Sequence, residues 1–510
     1  MADWGSGYVT DTAYVHDFCR VQTPAILSLA ALAKGVAVPG GRGEAITYCD
    51  LGCGQGFTAN LVAAANPHAD VFAADFNPTH IAGARALAGA AGLKNIEFRE
   101  AGFDELLDDA SVPDFDIMCL HGVYSWISPA NRQAVVALVR RRLKSGGLLY
   151  ISYDAMPGWA GLAPLRRLLV QQYASSGHTS SETGLARALA FADQLKEVGT
   201  QFHRVYPHVS AQLDRLRRLP ASYLAHELLT RDWQAYSFAD VAIELAEAKL
   251  TYVGSAHLTD HVDRVNFTEE QQRFLGEIAD PLLGETTRDM IVNRQFRRDI
   301  FVKGGRALSA SAARERWLDT RFALSGLAAD IDMTFETALG KLQVRPDMYK
   351  PVIEILDSGP LSLRELIARP AAAKLEWGGL LDAIKVLVGH GELQPALPAD
   401  SEAARAASAR GFNAAVTARA QESAELGYFA SPVTGGGVRV DRFTQLYLGV
   451  KQDGTGDPVA ALAALAEQRG GIVGKDDKKL GPEEARAALA VRAAQIEERT
   501  VPLLARLGIC

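Results

Sequence analysis

Between residues 45 and 155, short apolar runs alternate with segments of helical period, and no other feature of the chain narrows its fold so far. Ile46–Asp50 (ITYCD), Val71–Phe76 (VFAADF), Asn95–Arg99 (NIEFR), Phe115–His121 (FDIMCLH) and Leu148–Tyr153 (LLYISY) are five strand candidates. FTANLVAAA, PTHIAGARALAGAAG and RQAVVALVRRRLKSGG are the helices between them, with Gly92 and the Gly146-Gly147 pair as expected stops for the last two. Strand and helix repeated in this way predict a parallel sheet covered on both faces. From 157 to 236 the chain is helical by period with no strand candidate. LTYVGS at 250–255 and NRQFRRDIFVKGG at 293–305 then return to strand character. They complete an α/β, Rossmann-like sheet of seven strands. Residues 157–236 become a helical insertion above the carboxyl ends of the strands, where open α/β sheets bind ligands and where it would act as a lid.

The expected organisation is a core at 1–156, the insertion at 157–236, and the end of the core at 237–308. KPVIEILDSGPLSLRELIA and EWGGLLDAIKVLVGHGELQPAL then suggest a winged-helix-like module at 309–400. A mainly helical α+β module follows at 401–510, with a hairpin turned by Gly435–Gly437 and a last helix that carries Pro482 in its first turn. The winged-helix pattern does not argue for DNA: its second helix carries one lysine, and the segment is not strongly basic. A formal charge of −7 over 510 residues also argues against broad nucleic-acid wrapping. Five cysteines at 19, 49, 53, 119 and 510 form no CxxC pair, so no metal is expected and a reducing compartment fits. No apolar run reaches the roughly 18 residues that span a bilayer. The opening MADWGSGYVTDTAYVHDF is polar and acidic, so the expected location is the cytoplasm.

A loop of glycines at every second position, LGCGQG, follows the first strand and opens a helix. Backbone in such a loop can approach a dinucleotide or S-adenosylmethionine. The spacing here is Gly52-x-Gly54-x-Gly56, not the GxGxxG that seats a pyrophosphate on a helix N-terminus. Asp50 before the loop would repel a pyrophosphate but attract an α-ammonium. Asp75 at the end of the second strand, with Phe76 beside it, can accept both ribose hydroxyls. S-adenosylmethionine is therefore the expected cofactor. Gly102 and Phe103 are placed to lie along adenine, with a backbone or Asp104 contact to its amine. His121, Tyr124 and Trp126 crowd the exit of the fourth strand, where the methyl should point, and His121 is assigned to both cofactor and chemistry. Tyr153, Asp154 and Trp159 are expected on the same rim. His226 and Glu227, on an insertion helix, are candidates to relay a proton and orient an amine.

LGCGQG, HGVYSWIS, SYDAMPGW, SYLAHELL and NRQFRRDIF together resemble the class I methyltransferases that carry a methyltransferase regulatory domain, in particular rickettsial-type protein lysine methyltransferases. The resemblance implies a sheet ending in an antiparallel hairpin, an S-adenosylmethionine pocket on Asp50 to Gly56 and Asp75, a helical domain above it, and lysine as one acceptor. Asp154 stands where the group usually has asparagine. Three functions stay open: a protein lysine methyltransferase, a small-molecule or glycan-pathway N- or O-methyltransferase, and a non-catalytic cofactor-binding regulator. A homodimer is also open; nucleic acid and membrane insertion are not expected.

Overall fold

The computed structural model describes residues 7–9, 11, 14–177, 180–454, 457–468 and 480–510. Seven strands make the central sheet: β1 Ile46–Leu51, β2 Ala69–Asp75, β3 Ile96–Glu100, β4 Phe115–Leu120, β5 Leu143–Asp154, β6 Leu250–Ser255 and β7 Phe296–Lys303. Their order is β3-β2-β1-β4-β5-β7-β6. The first five are parallel, and β7 runs antiparallel to both β5 and β6. The order reverses between β1 and β4, which opens a crevice at their carboxyl ends.

Two-residue periodicity sorts the sheet into two faces. Tyr48, Cys119, Leu148 and Tyr150 point to one buried layer, and Cys49, Met118, Leu149, Ile151 and Tyr153 to the other. One expected boundary shifts. The helix Pro129–Arg142 ends at Leu143, whose backbone is already extended, and β5 begins there. Gly146 (φ +84°) and Gly147 instead lie within β5, where its register against β4 slips. They shape a strand irregularity and do not cap a helix.

The helical insertion leaves and returns at one point. Ala155 bridges Tyr236, and the Tyr236 amide donates to the Asp154 carbonyl at 2.9 Å. It has its own apolar cluster, built from Leu162, Leu165, Leu169, Leu185, Val209, Leu213, Leu224 and Leu228, so it can sit over the strand ends as a unit.

The region beyond 309 is not a string of separate beads. Helix Pro346–Leu356, helices Leu363–Ile367 and Trp377–His390, and a sheet of Arg321–Leu324 between Leu361–Ser362 and Leu393–Ala396 share one apolar core with the central sheet and with helix Pro24–Ala33. Residues of the final segment, among them Phe412, Val416, Val438 and Leu504, pack on Phe57 and Leu61 of the helix that the glycine loop opens. The expected hairpin is Tyr428–Ser431 with Gly436–Arg439; only Gly435 (φ +66°) belongs to its turn, while Gly436 and Gly437 are already strand. Pro482 starts the last long helix, as expected, and that helix passes through a wider turn at Ile496–Thr500 before Val501–Arg506.

Candidate active site

A cavity of about 650 Å³ opens at the carboxyl ends of β1 to β4. Asp50, Gly52, Gly54, Asp75, Phe76, Gly102, Phe103, Asp104, His121 and Trp126 all line it. Asp75 organises the floor. Its Oδ2 accepts the Gly54 amide at 2.9 Å, its Oδ1 accepts the Asn77 amide at 2.9 Å, and His80 Nδ1 lies 3.2 Å from Oδ1. The glycine loop is thus tied to the neighbouring strand's carboxylate before any ligand arrives. Gly54 has φ +54°, and a Cβ there would meet only Tyr14, at 3.6 Å, so its backbone faces open cavity. Asp50 is buried and accepts from Gln22 Nε2 at 3.1 Å. Burial pushes its carboxyl up to about 7, with Asp75 adding to the effect and Gln22 opposing it. A cation brought against Asp50 would restore its charge.

His121 Nδ1 sits 2.8 Å from the Tyr150 hydroxyl and 2.9 Å from Ser152 Oγ. Burial, aided by Arg298, lowers its pKa to about 3, so the ring is neutral at any working pH.

Several expected site residues lie elsewhere. Gly56 turns its back on the cavity: a Cβ would come within 2.5 Å of Ala84 Cβ and 2.7 Å of Phe98, so it serves helix packing. Tyr124 is fully buried and donates to Glu244; Tyr153 is fully buried and donates to Asp299 Oδ2 at 2.7 Å. Both belong to the layer opposite Tyr150, away from the cavity. Tyr124→Phe should therefore cost about 1 kcal/mol of stability in denaturant titration and leave both cofactor affinity and turnover unchanged; a loss of turnover would return Tyr124 to the site. Asp154 accepts from Trp233 Nε1 at 2.6 Å, and Trp159 packs on Trp233, so neither lines the cavity.

His226 and Glu227 are not exposed on their helix, Ala221–Leu229, but buried just behind the cavity roof. The His226 ring packs 5.1 Å from Tyr8 and 5.3 Å from Tyr14. Burial holds Glu227 well above the usual carboxylate range; Asp154 adds to the shift, while Arg166 and the Tyr223 hydroxyl oppose it.

The sequence reading missed the roof and part of the floor: Tyr8, Tyr14, Asp17, Cys19, Gln22, His80 and Tyr223 also line the cavity. Strand periodicity could have found Tyr150 and Ser152 by placing them on the face opposite Tyr153. Nothing local marks Tyr14, which lies outside helix and strand, or Gln22, which ends a single helical turn.

Asp17, Asp50, Asp75, Glu100, Asp104 and Glu105 face the cavity, and among the described residues no lysine or arginine lines it. Such a wall suits a cationic nucleoside with a free ammonium and resists a pyrophosphate. Among the described residues no group of His, Cys, Asp or Glu side chains is arranged to hold a metal ion, and no helix is long and apolar enough to cross a membrane.

A parallel sheet closed by an antiparallel hairpin, with this crevice at its switch point, places the chain among class I S-adenosylmethionine-dependent methyltransferases. Residues 43–184 match the methyltransferase domain family, and residues 220–303 match the family described as a predicted methyltransferase regulatory domain. The chain is 37% identical over 510 residues, 99% of each sequence, to the uncharacterised protein sll1526 of Synechocystis, and it belongs to that family of methyltransferases with a regulatory domain. It is 27% identical over 280 residues to the uncharacterised protein RP789 of Rickettsia prowazekii, covering 54% of this chain and 49% of that one. PKMT2 from Rickettsia typhi shares the fold at 18% identity, with a TM-score of 0.66 over 94% of this chain and 98% of that one. Its complex with AdoHcy superposes with a TM-score of 0.67 at 17% identity, over the same shares of each chain.

Proposed function

We propose that the chain transfers methyl groups to an amine, specifically the lysine side chain of a protein. The observation that carries this reading is the cavity wall, with its six carboxylates and, among the described residues, no lysine or arginine. It disfavours phosphorylated and carboxylated acceptors and favours one that arrives as an ammonium. The neutral, weakly basic His121 points the same way. A hydroxyl acceptor needs a base to remove its proton, and a histidine with a pKa near 3 is a poor one. An amine needs only to shed the proton it carries in solution.

S-adenosylmethionine, when bound, supplies an electrophilic methyl group on a cationic sulfur. The chain's own residues bind and orient. Asp50, steadied by Gln22, is placed for the ammonium; Asp75, steadied by Gly54, Asn77 and His80, for the ribose; Phe103 for the adenine face. Tyr8, Tyr14 and Tyr223 roof the cavity and exclude water, which lowers the pKa of an incoming ammonium. Glu227, hydrogen-bonded by Tyr223, is an insertion carboxylate able to take up charge. Positioning alone can supply on the order of 7–11 kcal/mol of a displacement barrier.

The resemblance to protein lysine methyltransferases and the shared fold with PKMT2 support lysine as the acceptor. The test is to incubate the full chain with labelled cofactor and a cell extract separated by size. Methylated lysines in the protein fraction are expected; label confined to small molecules would replace this reading with a small-molecule methyltransferase.

Glu227 also gives a pH prediction. Its folded pKa is raised, so the stability it lends is fully present below the ordinary carboxylate range and is lost as pH rises through the raised value. Glu227→Gln cannot ionise. Its Tm relative to wild type should climb between about pH 5 and the raised pKa of about 8 and level off above it; a constant offset would mean that Glu227 is already ionised in the fold.

A further inference from the structure

We propose that residues 14–22 form a two-sided strap through which the C-terminal region positions the cofactor site, with Arg20 as its anchoring, positioning residue. Residues 14–19 carry no helix or strand, and Arg20–Gln22 are a single helical turn, so side chains and scattered backbone bonds alone hold the segment.

One side of the strap is bound to the cofactor floor. Gln55 Nε2 donates to the Tyr14 carbonyl at 3.4 Å. Thr58 Oγ1 donates to the Asp17 carbonyl at 3.2 Å and accepts the Cys19 amide at 3.0 Å. Gln22 reaches Asp50 and, through its carbonyl, the Tyr48 hydroxyl at 3.3 Å. Gln55 and Thr58 flank the end of the glycine loop, so this side grips the elements that shape the pocket.

The intervening residues face the C-terminal region. His16 Nδ1 lies 3.4 Å from Glu425; Phe18 packs on Tyr428 at 5.2 Å and so closely on Gly437 that a Cβ there would come within 2.6 Å of its ring. Arg20 donates to the carbonyls of Val388 at 2.6 Å and Gly389 at 3.0 Å. Those carbonyls end the helix Trp377–His390, where the helix dipole favours a cation. Charged donors on helix-end carbonyls are strong hydrogen bonds, whereas a partly exposed His–Glu contact contributes little. Arg20 is accordingly the anchor. That helix is itself seated without slack, since a Cβ on Gly389 would fall 2.0 Å from Thr259 Oγ1.

The energetic consequence is population control. Only with the strap docked are Gln22 and Tyr14 in place, and the apparent affinity for the cofactor scales with the docked fraction. Removing the anchor should undock the strap without touching the pocket.

The test is calorimetric titration of S-adenosylhomocysteine into the full chain, which is independent of the acceptor and so cannot be confused with an error about lysine. Arg20→Gln is expected to weaken binding about tenfold or more, and Arg20→Lys, which can still reach one carbonyl, by less. Hydrogen exchange in the ligand-free Arg20→Gln protein should speed up at residues 14–22 and in the glycine loop. Leu489→Ala, on the last long helix and packed on its helical neighbours, should cost stability yet bind within about twofold of wild type. Should Arg20→Gln fail to fold, Phe18→Leu carries the same test with an expected severalfold loss. Unchanged affinity in Arg20→Gln or Phe18→Leu, or an equal loss in Leu489→Ala, would overturn the proposal.

Discussion

Asp75→Ala should weaken S-adenosylhomocysteine binding by about 10- to 100-fold in calorimetry, the largest loss of ligand affinity expected for any single side chain of the cavity floor. Oδ1 of this carboxylate already faces the Asn77 amide and His80 Nδ1, whereas Oδ2 accepts only the Gly54 amide and keeps a lone pair for a ribose hydroxyl. A hydrogen bond to a charged group is worth about 1.5–3 kcal/mol, and the variant loses the ribose contacts together with the tie that shapes the loop. A loss of 1.4 kcal/mol is a factor of about ten, so even one contact accounts for the lower bound. Asp75→Asn should fall between the two, because its amide nitrogen would oppose one of the two backbone amides. Equal affinity in wild type and Asp75→Ala would remove the ribose assignment and with it the orientation of the cofactor.

Gly56→Ala is expected to cost about 2–5 kcal/mol of folding stability, read from the shift of the denaturation midpoint. Gly56 has φ +65°, a conformation costing other residues roughly 1–2 kcal/mol. The added methyl would also overlap Ala84 at 2.5 Å and Phe98 at 2.7 Å, and overpacking of this kind costs typically 1–3 kcal/mol. Neither neighbour can swing aside: Ala84 has no rotamer to change, and both Ala84 and Phe98 lie in the main core. Gly54→Ala should behave differently. Its methyl would point into the cavity near Tyr14, so ligand affinity should fall more than stability. If the two variants gave the same pattern, the division of the loop into a ligand-facing and a helix-facing glycine would fail.

The sheet was readable because its strands are short apolar runs bounded by turn residues, and all seven appear where the pattern placed them, within a few residues at each end. The glycine loop, Asp50 and Asp75 were readable for the same reason, since strand, loop and helix N-terminus are consecutive in the chain. Position at the carboxyl ends of the fourth and fifth strands points Tyr124 and Tyr153 to the cavity. Their side chains instead project to the other face of the sheet, toward Glu244 and Asp299. A stricter use of the two-residue period would have separated Tyr153 from Ser152. The burial of His226 and Glu227 could not be foreseen, because it depends on an insertion folding back over strands far away in sequence.

Periodicity and glycine spacing are interactions among neighbours, so the chain of residues alone determined a seven-stranded methyltransferase sheet and the floor of the cavity at its strand ends. The roof and its supports were decided only in three dimensions. Tyr8 and Tyr14 lie outside any helix or strand, Gln22 comes from a single helical turn, Tyr223 from the insertion, and Arg20 finds its partners 368 and 369 residues away. Such contacts form because a buried carboxylate, an orphan helix carbonyl and an uncovered crevice each need a partner, and only the packed fold brings that partner within reach.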